Sequence, residues 1–366
     1  MPEVSFFDYR ERRDVLEGVD TLLSESRVAG LVPRGGSVAV KVHFGELGNV
    51  TYVRPTLVRK VVEVVKRVGG RPFVTDTTAL YPGGRDTAGK YLATAAYNGF
   101  SPATMEAPVV IADVDGSEGV TLDVPRHVDG CTLRQVEVAA ELSRADFVLF
   151  VSHVKGHEIS GFGGALKNIA MGCVTKRTKR EQHSVNPSLV DEDRCDGCGA
   201  CLGVCPSSAI VMQAGKPVKD PDKCMHCDTC LFACPRGAIY WAADNKLTFQ
   251  VYLAHAAAAV MSIFAGRAGF LNFVQDVTPC CDCAHPAGNA IVPDVGILAS
   301  LDPVAIDKAS LDLIDSVPES LTVVSVGASD KLGKLNGTDS TVQLKTAHRL
   351  GLGGLEYSLV HSPRAT

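Results

Sequence analysis

Residues 37–76 read SVAVKVHFGELGNVTYVRPTLVRKVVEVVKRVGGRPFVTD, and this stretch decides the fold. In Ser37–Phe44 the apolar Val38, Val40, Val42 and Phe44 alternate with Ala39, Lys41 and His43, the period of a half-buried strand. Pro55 then opens PTLVRKVVEVVKRVGG, whose apolar residues recur at helical spacing until Gly69-Gly70 stops them. A second strand, Arg71–Asp76, follows and breaks into the turn-rich TTALYPGGRDT. A third, Asp146–Ser152, runs into a glycine-rich segment. Strand, helix and strand in succession predict an α/β fold with an open, mainly parallel or mixed sheet.

Downstream, the apolar stretch Val251–Val274 is interrupted by His255, Arg267 and Asn272, and reads as a buried helix pair rather than a membrane span. Two short apolar runs, Ala290–Leu298 and Leu321–Val326, read as further strands. The chain has 366 residues, of which 46% are hydrophobic, 21% charged and 6% aromatic, a globular composition. A formal net charge of −5 and a pI near 6.1 give no electrostatic case for nucleic acid or an anionic membrane as partner. The N-terminal MPEVSFFDYRERRD lacks the apolar core of a secretory signal, so a cytoplasmic location is expected.

Thirteen cysteines without an export signal point to metal ligation in a reducing, anaerobic setting. Most fall in one doubled pattern: Cys195, Cys198, Cys201 and Cys205-Pro206, then Cys224, Cys227, Cys230 and Cys234-Pro235. This is the run of a bacterial two-cluster ferredoxin, in which the fourth cysteine of each run crosses to the other [4Fe–4S] cluster. One cluster would take Cys195, Cys198, Cys201 and Cys234, the other Cys224, Cys227, Cys230 and Cys205. Structural zinc is the rival reading, and the doubled spacing with both prolines argues against it. The expected organisation is 1–188, first part of the α/β domain; 189–242, a small α+β ferredoxin-type domain; 243–366, second part. The basic Thr175–Arg180 and acidic 191–193 read as the linker before the first cluster cysteine.

Two other constellations carry chemistry. The segment TPCCDCAH packs Cys280, Cys281 and Cys283 closely, with His285 beyond. It could hold a third iron–sulfur cluster or a mononuclear metal, or the thiols could be buried small hydrophobes, as Cys131 and Cys173 are expected to be. After the third strand come His153, Lys155, His157 and Glu158, then Gly161, Gly163, Gly164 and Lys167. Strand ends of open α/β sheets face the ligand crevice, and glycines let backbone N–H groups approach a ligand. His153, Lys155, His157 and Lys167 are therefore candidate catalytic residues, and Gly161, Gly163, Gly164, Lys41 and His43 candidate cofactor-binding residues. Asp76, Thr77, Thr78, Tyr81 and Arg85 could face the same crevice. The spacing matches neither a Walker A loop nor the dinucleotide fingerprint.

Taken together, VKVHFGE, DTTALYPGGR, SHVKGHEISGFGGALKNIAMGC, the doubled cysteine run, PCCDCA and PDVGILASLDPVAIDKA closely resemble the DUF362 domain family of iron–sulfur proteins. The resemblance implies an α/β domain carrying a ferredoxin insert, and supplies no substrate. In the family's pattern Asp294, Asp302 and Asp307 recur, and here they would be helix caps or polar site residues. The segment GFGGALKNIAMG is also similar to the glycine-lysine segment of nickel-pincer lactate racemases, which implies a cofactor-tethering role at Lys167; Met171 stands where those enzymes have proline.

The leading expectation is a ferredoxin-type oxidoreductase that takes electrons through two [4Fe–4S] clusters to a small substrate or bound cofactor in the crevice. A redox partner protein (ferredoxin, flavodoxin or reductase) would supply them. The alternatives are an electron-transfer adaptor that docks a partner enzyme through basic Lys176–Arg180, and a nickel-pincer-like isomerase.

Overall fold

The computed structural model describes residues 1–11, 14–114, 119–128, 130–284, 286–320 and 325–362. Its frame is an eight-stranded sheet. In chain order the strands are β1 (Glu3–Asp8), β2 (Ser37–Lys41), β3 (Arg71–Asp76), β4 (Val109–Ile111), β5 (Phe147–His153), β6 (Ala268–Val274), β7 (Gly296–Ser300) and β8 (Ser358–His361). They lie side by side as β8-β1-β7-β6-β5-β2-β3-β4. All neighbours are parallel except at β7, which runs antiparallel to both β1 and β6.

This order contains a reversal. From β2 the chain steps outward to β3 and β4, then β5 returns to the other side of β2 and the chain steps through β6 to β7. Such a switch point leaves a crevice beyond the carboxyl ends of the two strands that flank it. Here those ends are Lys41 of β2 and His153 of β5.

Both faces of the sheet are covered. Helices α1 (Val15–Glu25) and α2 (Pro55–Arg67) pack on one face, where Val19, Leu22, Val58 and Val61 meet Phe147, Leu149 and Val151 of β5. Helices α3 (Ala165–Ala170), α5 (Ala243–Ser262) and α6 (Pro303–Ser316) cover the other, where Leu166, Leu253 and Ile306 share a core with Val148 and Phe150. Each fully buried valine or leucine contributes roughly 1.5–3 kcal/mol. The expected half-buried strand is therefore corrected: every residue of β2 after Ser37 is buried, because a doubly covered sheet has no solvent face.

Three other expectations change. Val251–Val274 is not a helix pair; α5 ends at Ser262, the chain turns through Gly266 in a left-handed conformation (φ 71°), and β6 follows. Thr175–Arg180 is not a linker: Lys176–Ser184 is a helix, α4, that buries Thr178, Lys179 and Gln182. The Ala290–Leu298 run becomes strand only from Gly296, as β7, and Leu321–Val326 lies largely outside the described residues. Between α4 and α5 sits the cysteine-rich segment, built from two short ribbons, Leu189–Val190 with Ile239–Tyr240 and Ile210–Gln213 with Lys216–Lys219. Its small core joins Cys201, Ile210 and Ile239. The large sheet draws strands from both sides of this segment. Among the described residues no helix is long and apolar enough to cross a membrane.

Candidate functional site

A crevice of about 160 Å³ opens at the switch point. A cavity of that order holds a molecule the size of benzene. It is lined by Lys41 and His43 after β2, Asp76–Tyr81 and Arg85 after β3, Ser152, His153, Lys155 and His157 after β5, Gly164 and Lys167 at α3, and Lys179 and His183 of α4. Cys281 and Cys283 complete the wall. Strand ends separated by more than a hundred residues thus converge as the topology demands.

Many of these groups hold one another. Lys41 Nζ donates to Asp76 Oδ1 (2.7 Å) and Asn168 Oδ1 (2.8 Å), and both members of the ion pair are buried. Although burial opposes it, the Lys41 charge holds the Asp76 carboxyl well below the usual carboxylate range. Arg85 Nε donates to Glu46 Oε2 (2.9 Å), which also accepts from Tyr81 Oη (2.8 Å). Arg85 Nη1 meets His43 Nε2 at 2.8 Å, and Gly45 N donates to His43 Nδ1.

The sequence reading missed the residue at the centre of the next cluster, Asp282. It is fully buried, faces His153 Nδ1 with both oxygens at 2.9 Å, and pairs with Lys155 Nζ at 3.2 Å. Burial would raise the Asp282 carboxyl's pKa, but His153 and Lys155 hold it well below its ordinary value. His153 Nε2 also faces the Gln275 carbonyl at 2.7 Å, and Lys155 Nζ donates to the His153 carbonyl at 2.9 Å. Two of the candidate catalytic residues, His153 and Lys155, are thereby committed to anchoring the turn that carries Cys281 and Cys283. A pair so buried is costly to break at one end, by about 3–5 kcal/mol.

The glycines are met closely by the protein's own side chains. Asp307 of α6 accepts from Ala165 N (2.7 Å), Leu166 N (2.8 Å) and Asn272 Nδ2 (2.8 Å), so a carboxylate of the protein itself fills the start of α3. A Cβ on Gly164 would lie 2.4 Å from Asp307 Oδ1, and one on Gly161, whose φ is 74°, would lie 2.8 Å from Ser340 Cβ. Gly163 passes beside Lys167 and Lys155. These glycines admit close packing of Asp307, Ser340 and the two lysines. Asp302 caps α6 by accepting from Val304 N and Ala305 N, and Asp294 Oδ1 accepts from Asp276 N.

The groups left facing the crevice are Lys167, Lys179, His157 and the two thiols. Lys167 Nζ lies 3.3 Å from Cys281 Sγ. The neighbouring Cys283 thiol, outweighing burial and aided by Lys167, Lys155 and His157, holds the Cys281 thiol well below its ordinary pKa. One ring nitrogen of His157 and the two sulfurs lie within 4.8 Å of one another. Cys280 stands outside this group with its thiol against Glu158, so the three thiols are not brought together; burial and Glu158 push it up to about 12. His285 lies outside the described residues. Lys179 was hidden in the basic run: it is buried, donates to Thr77 Oγ1 (2.7 Å) and the Thr78 carbonyl, and burial pushes it down to about 8. Lys176 likewise donates to the Asp86 carbonyl and the exposed Arg180 to the Cys224 carbonyl (2.9 Å).

The eight paired cysteines line two further cavities. Cys195, Cys198, Cys201 and Cys234 surround one, and Cys205, Cys224, Cys227 and Cys230 the other. The loops repeat each other in backbone: Gly197 and Gly199 of the first are left-handed (φ 73° and 75°), as are His226 and Asp228 of the second (φ 55° and 57°). Crossed thiol sets around a cavity, with Ala209 N on Cys205 Sγ and Ala238 N on Cys234 Sγ at 3.3 Å each, fit a cubane and its usual N–H···S bonds. The second cavity is the nearer to the crevice. Arg180 of α4 binds its Cys224 loop, His183 Nδ1 lies 4.0 Å from Asp228 Oδ2, and His183 also lines the crevice. One helix therefore separates the two.

A buried, lysine-rich crevice at a sheet switch point beside two four-cysteine cavities defines the class of site. The chain belongs to the family described as a domain of unknown function, DUF362, whose model matches residues 38–312. No curated protein matches it. Among solved structures it is similar to the lactate racemase apoprotein from Thermoanaerobacterium thermosaccharolyticum, at 11% identity and a TM-score of 0.37, over 75% of this chain and 51% of that one. A structural-genomics protein from Thermotoga maritima is similar at 14% identity and a TM-score of 0.36, over 71% and 50%. The chain thus spans about half the length of the solved structures it matches.

Proposed function

We propose that the protein is an iron–sulfur oxidoreductase acting on a small molecule, either a substrate or a bound cofactor, in the switch-point crevice. Two [4Fe–4S] clusters, one held by Cys195, Cys198, Cys201 and Cys234 and one by Cys205, Cys224, Cys227 and Cys230, would supply the electrons singly. The observation that carries this reading is the crossing of the thiol sets: each cavity takes three cysteines from one run and the fourth from the other. The segment 189–242 is then an electron-carrying module inserted in the α/β domain, and α4 is the wall it shares with the crevice.

The protein's own residues divide the remaining work. Lys167 and Lys179 attract an anionic group, since neither has a carboxylate within ion-pair distance among the described residues. Lys167 exchanges protons with the bound molecule while the neutral His157 hydrogen-bonds to it, because electron delivery to an organic molecule needs matched proton delivery. Asp282, His153 and Lys155 fix the turn that bears Cys281 and Cys283. Cys198 is the exposed thiol of the outer set, so a redox partner protein in a reducing cytoplasm would approach there.

Iron, acid-labile sulfide and nickel on anaerobically purified protein test the reading. About eight irons and eight sulfides per chain, with EPR signals of reduced [4Fe–4S] clusters, are expected. Zinc in the cysteine cavities, or nickel without iron, would sink it.

A further inference from the structure

We propose that Cys281 and Cys283 are a redox-active pair, a dithiol that closes to a disulfide, and not metal ligands. The proposal deepens the oxidoreductase reading above and rests on it for the source of electrons.

The first support is the turn. Ala284 N donates to the Cys281 carbonyl at 2.8 Å, closing a tight turn over residues 281–284. Side chains at its first and third positions share one side, and the two sulfurs lie within 4.8 Å of each other. Residues two apart in such a turn keep their Cα atoms within the ~4.4–6.8 Å a disulfide spans. Asp282 is buried the other way, into His153 and Lys155. Glu46 N on the Asp282 carbonyl (3.0 Å) and Tyr81 Oη on the Cys283 carbonyl (3.1 Å) lock the backbone.

The second support is what the third donor of the group is doing. His157 Nδ1 accepts from Ile159 N and from Ser160 N, each at 3.2 Å. The neutral ring therefore carries its hydrogen on Nε2. A metal on Nδ1 would cost both amide bonds, and a metal on Nε2 would need an imidazolate. His157 is a neutral hydrogen-bond donor beside the thiols, and with Cys280 turned to Glu158 only two sulfurs remain, too few for a cluster. Thiolates on separate irons of a cubane are also held apart by the width of the cluster, whereas these two sulfurs lie within 4.8 Å of each other.

The third support is Lys167, whose ammonium lies 3.3 Å from Cys281 Sγ. A thiolate is the attacking species in disulfide chemistry, and an adjacent ammonium stabilises it. The step balances simply. The Cys281–Cys283 S–S bond takes two electrons and two protons and becomes two thiols; the protons pass one after the other through the Lys167 ammonium, which recovers each from solvent. The electrons come from one-electron iron–sulfur donors acting twice. Two clusters of one electron each match the two-electron couple, so the pair would turn single electrons into a two-electron delivery to the crevice.

Differential alkylation of the anaerobic holoprotein tests this. Protein equilibrated in graded dithiothreitol buffers is denatured in iodoacetamide, reduced, labelled with N-ethylmaleimide and read by peptide mass spectrometry. Cys281 and Cys283 should change label together with one midpoint, while Cys280 stays a free thiol throughout, and unreduced digests should contain a peptide two mass units lighter. A photoreduced deazaflavin, a one-electron donor, should open the bond in wild type and fail to do so in Cys224→Ser protein that has lost iron. Independent labelling of the two cysteines at every potential would overturn the proposal, as would a stoichiometric metal beyond the eight irons that is lost in both Cys281→Ser and Cys283→Ser. Wild-type protein that is purified anaerobically without iron, and whose pair still titrates, would leave the dithiol standing and refute the iron–sulfur reading.

Discussion

Lys179 is a buried ammonium facing two neutral oxygens, and its replacement by methionine separates what the fold wants from what the crevice wants. Burial pushes its pKa from 10.5 down to about 8. At about 1.4 kcal/mol per unit, that shift costs the folded state about 3 kcal/mol at neutral pH. Methionine removes this penalty but forfeits the hydrogen bonds to Thr77 Oγ1 and the Thr78 carbonyl, each worth about 1 kcal/mol. Lys179→Met should therefore be more stable than wild type by about 1 kcal/mol at pH 7. The sign with pH follows from the depressed folded pKa. Between about 8 and 10.5 the unfolded chain binds a proton that the folded protein does not, so wild type gains stability as pH rises through that window. Above it the comparison reverses, and the variant should be the weaker by about 2 kcal/mol. Urea midpoints of both proteins, measured anaerobically from pH 7 to 10.5, give the difference directly. A difference that stays flat across the window would refute the reasoning, because lost packing alone carries no pH dependence. The same variant should lose affinity for anionic ligands of the crevice.

Asp307→Ala leaves two amides at the start of α3 and the Asn272 amide without their acceptor, and should cost about 2–5 kcal/mol in the urea midpoint. Gly164→Ala places a methyl 2.4 Å from Asp307 Oδ1; it should weaken ligand binding by displacing Lys167 while the cysteine segment keeps its iron, which metal analysis would show. Cys198→Ser and Cys227→Ser should each remove about four irons, and loss of all iron from either would mean that the cavities do not load independently. Burial pushes the Cys131 thiol up to about 11 and Cys173 to about 12, so native protein at pH 8 should leave both unlabelled by iodoacetamide in peptide mass spectra.

The α/β class was legible because β2, α2 and β3 follow one another within the quoted stretch, each with its own period and stop signal. The boundary between α5 and β6 was not, since an apolar run buried on all sides carries no period that tells helix from strand. At the site, Lys41, His43, His153, Lys155, His157, Lys167 and the paired thiols were visible as polar residues at strand ends. Asp282 was overlooked because it stands between cysteines, and Lys179 because one basic residue among several does not reveal which will be buried by the turn of a helix. The glycine-rich segment shows freedom for close approach, but not that Asp307, brought from far along the chain by the sheet, is one of the groups that approach it. Partners of that kind are set by topology, which local pattern cannot express.

The placement of β1 has a consequence for how the molecule is made. Its only strand neighbours among the described residues are β7 and β8, so the first strand synthesised must wait for nearly the whole chain before it can be paired. The cysteine segment leaves the ribosome in that interval, ahead of the turn bearing Cys281 and Cys283. Both cysteine cavities can therefore form in a nascent chain whose crevice still lacks its last wall, and the sheet is completed only after the cysteine segment has been made.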